Sequence, residues 1–166
     1  MATLYPKDII NNVLITETQD IVNRHSYLAF LFIGLGIEFL GKCIDKNVQK
    51  WDSKSKDHEE PPFDKAIKEL FPPKYHVLLD KYKLRDKLRN GMAHFLAPKD
   101  NIGLTQLSHD KAGKMNNEDH PFDNGVRLVL VVEYFYNDFV EACKKVLAME
   151  FFDDDKMNEP FLTVPD

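Results

Sequence analysis

The sequence predicts an all-α protein, an up-and-down bundle of four to five helices, with room for a small hairpin in the connection 99–121. Three observations lead there. Apolar residues recur at three- and four-residue steps, as in Ile21, Leu28, Leu31, Phe32, Leu35, Phe39 and Leu40. Prolines stand at the borders of such stretches, at positions 6, 61, 62, 72, 73 and 98. The chain has 166 residues, 43% of them apolar and 30% charged, which suits one globular domain and neither a disordered chain nor a membrane protein. Twelve phenylalanines suit a well-filled helical core.

Residues 7–15 ("KDIINNVLI") read as a short helix, with Pro6 near its start, where a missing N–H costs little. A long helical segment follows over about 17–49. Its middle is apolar nearly all round, so it is expected at the centre. Tyr27, Gly34 and Gly41 are seven apart and fall on one of its faces. Two glycines there would let another helix approach closely, first within one core and secondarily at a dimer seam. Residues 51–62 form a polar loop ending in two prolines. "FDKAIKELF" is a short helix stopped by Pro72 and Pro73. A helix over about 74–97 carries Leu78, Leu79, Tyr82, Leu88, Met92 and Phe95, and Pro98 ends it. The polar connection 99–121 holds the hairpin, with its turn near Ser108–Asp110. The last long helix is expected over about 122–149. Its β-branched centre "VRLVLVV" would also suit a strand, but length and the later period favour helix. Residues 152–166 form an acidic tail of the single domain 1–166. Three aspartates at a helix C-terminus would oppose the macrodipole, so the helix should stop before Asp153. Phe161, Leu162 and Val164 either dock back or are disordered.

Several functions are disfavoured. A net charge of −5 argues against a surface that coats long duplexes, though not against a local phosphate pocket. Cys43 and Cys143 belong to no CxxC or Cys/His cluster and read as reduced core thiols of a cytosolic protein. The N-terminus lacks a basic region followed by an apolar core, so no signal peptide is expected. The most apolar run, 27–37, is short for a bilayer and meets Glu38 at once. A soluble, cytoplasmic protein with no membrane partner is the expectation. Six histidines, at 25, 58, 76, 94, 109 and 120, show neither HxxH nor HxxxH spacing, so no metal or cofactor is expected. The loop "HDKAGKMNNEDH", with His109, Asp110, Glu118, Asp119 and His120, reads as solvated. So do Asp153, Asp154 and Asp155. There is no GxxxxGK[ST], and no serine sits in GxSxG.

Glu38 is the only charge within the apolar stretch 27–41, and a carboxylate buried there needs a partner. Lys42, one turn on, is the local candidate. A cation on a neighbouring helix, Arg89 or His94, is the other.

The run "LRDKLRNGMAHFL", residues 84–96, concentrates chemistry. Arg85, Lys87 and Arg89 are three cations within five residues of an acidic chain. Arginine offers a planar fork matched to phosphate oxygens. His94 can give or take a proton near neutrality. Asn90 can donate and accept hydrogen bonds beside them. Together they can cleave a phosphodiester without metal, one group moving the proton and another stabilising charge on phosphorus oxygens. Five helical steps from Arg89 to His94, however, amount to roughly 140° around an ideal helix. Either Gly91 permits a distortion, or two copies of the segment face each other and share a site. Glycine within a helix costs about 1 kcal/mol against alanine, so a role for Gly91 is expected.

"RNGMAH" resembles the R-x4–6-H motif of the HEPN superfamily, with Asn90 as the polar residue that commonly follows the arginine. The helix "SYLAFLFIGLGIEFLGKCID" is similar to the long HEPN helix that carries an acidic residue, here Glu38. The resemblance covers most of the chain as a helical bundle, less so 99–121 and the acidic tail. It implies a homodimer in which two motif helices meet at a cleft. Arg89 and His94 would be catalytic, with Asn90 and Glu38 supporting. The implied activity is metal-independent RNA cleavage by 2′-OH attack, as in toxin–antitoxin, phage-defence and CRISPR systems, with an antitoxin or other partner protein in attendance. The alternative is a non-catalytic HEPN-like module that binds a partner protein or a nucleotide.

Overall fold

A computed structural model describes residues 2–164. The protein is mostly helical, with two small sheets besides, which corrects the purely all-α expectation. The helices are α1 over residues 6–24, α2 (Ser26–Ile44), α3 (Pro62–Leu70), α4 (Pro73–Tyr82), α5 over residues 85–95 and α6 (Val132–Leu147). The strands are β1 (Ala2–Leu4), β2 (Ile102–Thr105), β3 (Phe122–Asp123), β4 (Leu128–Val131) and β5 (Leu162–Val164).

Helix α1 is one continuous helix and absorbs the expected border near residue 16. Pro6 opens it, and the Asp8 carboxylate accepts the Tyr5 N–H at 2.8 Å. Its Ile9–Glu17 section widens to i→i+5 spacing. There the Thr16 and Thr18 hydroxyls donate to the carbonyls of Asn11 and Val13, five residues back. The break falls instead at His25, which leaves helical conformation at φ −141°. Neither glycine nor proline marks that point. Ser26, the first residue of α2, hydrogen-bonds Gln106 through its hydroxyl, so a distant segment holds the new helix start.

Helix α2 is the centre of the fold. Ala29, Phe30, Ile33, Ile37 and Leu40 are buried against α3, α6 and α1. Its glycines serve packing within the chain. A Cβ on Gly41 would lie 1.7 Å from the Pro62 carbonyl oxygen, and one on Gly36 would lie 2.5 Å from the Phe139 ring. Among the described residues α2 is the one helix long and apolar enough to cross a membrane, and 56% of its apolar window is buried inside the fold.

The segment 122–149 is not one helix. Residues 128–131 form β4, which runs straight into α6. The β-branched run suits a pleated, covered strand better than a helical turn. β4 pairs in parallel with β2 and antiparallel with β3, so 99–121 contributes a strand to a shared sheet rather than closing its own hairpin. The true hairpin is β3–β4. The Asn124 side chain accepts the Val126 and Arg127 N–H groups, and Gly125 takes φ 88°.

The acidic tail docks. α6 ends at Leu147, before Asp153 as charge requires. Asp155, Lys156 and Met157 are buried, Phe161 packs edge-on against Phe39 and Trp51, and β5 pairs antiparallel with β1.

His120 sits where sheet meets helix. Its Nε2 accepts the Val131 N–H at 3.1 Å, which assigns the proton to Nδ1, 3.3 Å from the Tyr75 hydroxyl. That hydroxyl donates to Asp138 at 2.7 Å. Burial, aided by the Lys74 ammonium, lowers the His120 pKa to about 3.

Two consequences are testable. Gly41→Ala should destabilise by about 1–3 kcal/mol or more in urea melts, because the clash is with backbone. Gly34→Ala should be neutral or stabilising, since its Cβ would meet Arg89 only at ordinary contact, 3.6 Å. His120, whose folded pKa lies below its unfolded value of about 6.5, contributes fully above that value. As pH falls below it, the unfolded chain takes a proton that the folded one refuses. Stability should therefore drop by up to about 1.4 kcal/mol per pH unit between pH 6.5 and 5. His120→Gln should flatten that slope.

Candidate functional site

Helix α5 owes its shape to its neighbours. Lys83 adopts a left-handed conformation (φ 48°) and ends α4. The Arg85–Asn90 section then opens to i→i+5 spacing, with the Gly91 N–H donating to the Asp86 carbonyl. This leaves the Lys87 carbonyl without its usual helical donor, and the Lys99 N–H supplies one at 2.9 Å. For that the chain after the helix must fold back over Gly91. A Cβ there would lie 2.6 Å from the Ala97 oxygen. Gly91 is therefore a steric requirement, and its own backbone is ordinary helix.

The geometric question about Arg89 and His94 is answered within one chain: they do not meet. Arg89 faces α2, with Nε 2.5 Å from Glu38 Oε2 and Nη1 donating to the Asn90 side-chain oxygen at 3.0 Å. The Nε–H is poorly aligned for a hydrogen bond, so the contact with Glu38 is chiefly ionic. His94 is exposed and lies beside the Phe95 ring. Glu38 pairs with Arg89 rather than with Lys42. The Lys42 ammonium donates to the Trp51 and Ser53 carbonyls at 3.1 and 3.0 Å.

The Glu38–Arg89 pair is about a quarter exposed and stands between two cavities. One, about 300 Å³, is lined by Glu38, Pro61, Phe63, Arg85, Arg89 and Asn90. The other, about 210 Å³, is walled by Leu35, Phe39, Lys42, Trp51 and Phe161 beside the same pair. Arg85 lies 3.7 Å from Asp64, a carboxyl that burial pushes upward despite the guanidinium. The site thus holds two arginines, each facing one carboxylate. Phe161, from the tail, is a wall that sequence reasoning did not assign.

A stripe of exposed apolar side chains borders this site. Leu28, Phe32 and Leu35 of α2 are each about 40% exposed, and Phe95 reaches 69%. The Tyr27 hydroxyl donates to the Leu96 carbonyl and ties the end of α5 to the start of α2. Leu35 also walls the cavity beside Arg89, and Phe95 neighbours His94.

The loop 109–120 does not gather its polar residues. His109 is exposed, His120 is buried, and the Asp110 carboxylate accepts the Lys114 and Met115 N–H groups. Among the described residues no group of three His, Cys, Asp or Glu side chains has a metal-binding arrangement. Cys43 and Cys143 are buried free thiols, both with raised pKa through burial, Cys143 to about 12. Comparison with family models, curated proteins and solved structures returns no match to this chain.

A double-mutant cycle checks the pairing. Glu38→Gln with Arg89→Gln should give a coupling of up to about 1 kcal/mol in urea melts, as expected for a partly exposed pair. Glu38→Gln with Lys42→Met should be additive, and Lys42→Met should destabilise alone through the loss of two carbonyl partners.

Proposed function

We propose that the protein is a homodimeric, metal-independent endoribonuclease of HEPN type. The observation that carries this reading is the division of labour on α5. Arg89 lies inward beside Asn90 at a cavity, while His94, five residues on, faces solvent next to an unpartnered apolar stripe. In the proposed dimer, two copies join along that apolar surface and His94 of one completes the Arg89 cavity of the other. A stripe of this length on a helix is the kind of surface that a second copy covers.

In the reaction, the RNA 2′-oxygen attacks the adjacent phosphorus. The new P–O2′ bond forms as the P–O5′ bond breaks. His94 takes the 2′-OH proton, and the departing 5′-oxygen gains one from the second His94 or from water. Arg89 stabilises charge on the non-bridging oxygens, and Asn90 holds the phosphate. Glu38 keeps the guanidinium in place until phosphate arrives. A second reading, a non-catalytic module for a partner protein or a nucleotide, draws support from the same Glu38–Arg89 pair, because it neutralises the cation a phosphate needs.

Because His94 and Arg89 suffice for internal transesterification, cleavage of mixed RNA should survive EDTA and leave a 2′,3′-cyclic phosphate. DNA, lacking the 2′-OH, should be spared. His94→Ala should lower the rate by about 10²- to 10⁴-fold, and Arg89→Lys should be nearly as poor, both with wild-type helicity. Light scattering at micromolar concentration should give a dimer. A monomer would sink the composite site, and intact RNA across pH 6–9 would leave the binding module as the better reading.

A further inference from the structure

A second constellation lies in the loop between α2 and α3, and it shares no residue with the Arg89 site. The Ser53 hydroxyl is 2.9 Å from His58 Nε2, and His58 Nδ1 is 2.5 Å from Asp45 Oδ2. The His58 side chain is wholly inaccessible and that of Asp45 is 5% exposed. Asp45 also accepts the Asn47 N–H through its other oxygen, at 3.1 Å. Burial works to raise its pKa, but the bond from His58 and that N–H carry it below the usual value, so it is ionised. An ionised Asp45 at Nδ1 fixes the proton there and leaves Nε2 free to accept from Ser53.

The surroundings hold this chain of bonds in place. The Lys42 ammonium binds the Ser53 carbonyl at 3.0 Å, and the buried Lys156 ammonium binds the Asp45 carbonyl at 2.7 Å. Both ends of the relay are therefore pinned through their backbone. Ser53 is half-buried, on the wall of an open groove of about 660 Å³ that Lys50 and Lys54 also line. A hydroxyl on a half-buried groove residue, a buried imidazole in the accepting tautomer and a buried carboxylate behind it are the parts of an activated serine.

We propose that Ser53, His58 and Asp45 form a serine-nucleophile site that accepts the acyl group of small carboxylic esters. Ser53 Oγ bonds to the acyl carbon while its proton passes to His58 Nε2. The bond to the ester's alkoxy oxygen breaks, and that oxygen leaves with the proton. Water then gives a proton to His58 Nε2 and its oxygen to the acyl carbon. The bond to Ser53 Oγ breaks, and the serine regains its proton. Ser53 and His58 are the catalytic residues, and Asp45 is a positioning residue.

The full chain is incubated at pH 6–9 with an alkyl fluorophosphonate, and separately with 4-nitrophenyl acetate. One phosphonyl adduct per folded wild-type chain is expected, mapping to Ser53 by peptide mass and absent from urea-unfolded protein. Ser53→Ala should abolish the adduct and leave RNA cleavage unchanged. His58→Gln should slow labelling about 100-fold or more. Asp45→Asn should move the acidic limb of the labelling pH profile to lower pH, because the imidazolium loses its counter-charge, a shift that mere loosening of the loop would not produce. No adduct on the folded wild type, an adduct on another residue, or labelling unaffected by His58→Gln would each reduce the relay to a loop staple and overturn the proposal. The wild-type result decides even if a variant fails to fold.

Discussion

Helix α2 has to be covered on almost every side, and the rest of the molecule follows from that constraint. Nineteen residues carry only two charges, Glu38 and Lys42, so water is a poor neighbour for most of its circumference. α3 approaches at Gly41 and α6 at Gly36, where a missing side chain brings backbone close to backbone or ring, and α5 passes Gly34 at ordinary contact distance. The two charges find separate partners. Lys42 binds the carbonyls of the following loop, and Glu38 meets the Arg89 guanidinium from α5. What is left uncovered is an apolar row, Leu28, Phe32 and Leu35, whose last member walls the cavity beside Arg89.

The Arg89 site follows from the same packing. Arg89 is drawn inward by Glu38 and braced by Asn90, and the widened turn of α5 is stabilised by the Lys99 N–H. His94 has no such partner and stays in solvent. A helix that directs Arg89 and His94 to different environments does not bring both to one phosphate within a single chain. In the proposed dimer, the exposed apolar residues of α2 are the surface a second copy would cover.

The tail and the α2–α3 loop stabilise each other. Lys156 is buried, and burial lowers its pKa while Asp45 and Asp155 oppose that shift. Its ammonium binds two carbonyls of the loop, of Asp45 and Val48, and lies 5.5 Å from the centre of the Trp51 ring. Phe161 closes the aromatic cluster with Phe39 and Trp51. A charged segment that reads in sequence as solvated thus becomes the wall of one cavity and the anchor of the Asp45–His58–Ser53 relay.

The sequence by itself determined an apolar central helix though not its start at Ser26, the short proline-bounded α3, helical character around Arg89, Asn90 and His94 though not the break at Lys83, and the need of Glu38 for a partner. All of these rest on short-range periodicity or on the cost of burying an unpaired charge, which a single chain reveals. Only the tertiary structure decided that the partner is Arg89 and not Lys42, because helical spacing permits a local pair that competing carbonyls then dissolve. It also decided that residues 128–131 are a strand, since a β-branched run becomes one only when neighbours such as β2 and β3 supply hydrogen bonds. The break at His25 carries no glycine or proline, and Gly91 owes its place to the Ala97 carbonyl folding back over it. Ser53, His58 and Asp45 sit at loop spacings without period, so their alignment was invisible until the buried Lys156 fixed the loop's path. Interactions between residues distant in sequence depend on the path of the chain, and that path is set by packing rather than by any local pattern.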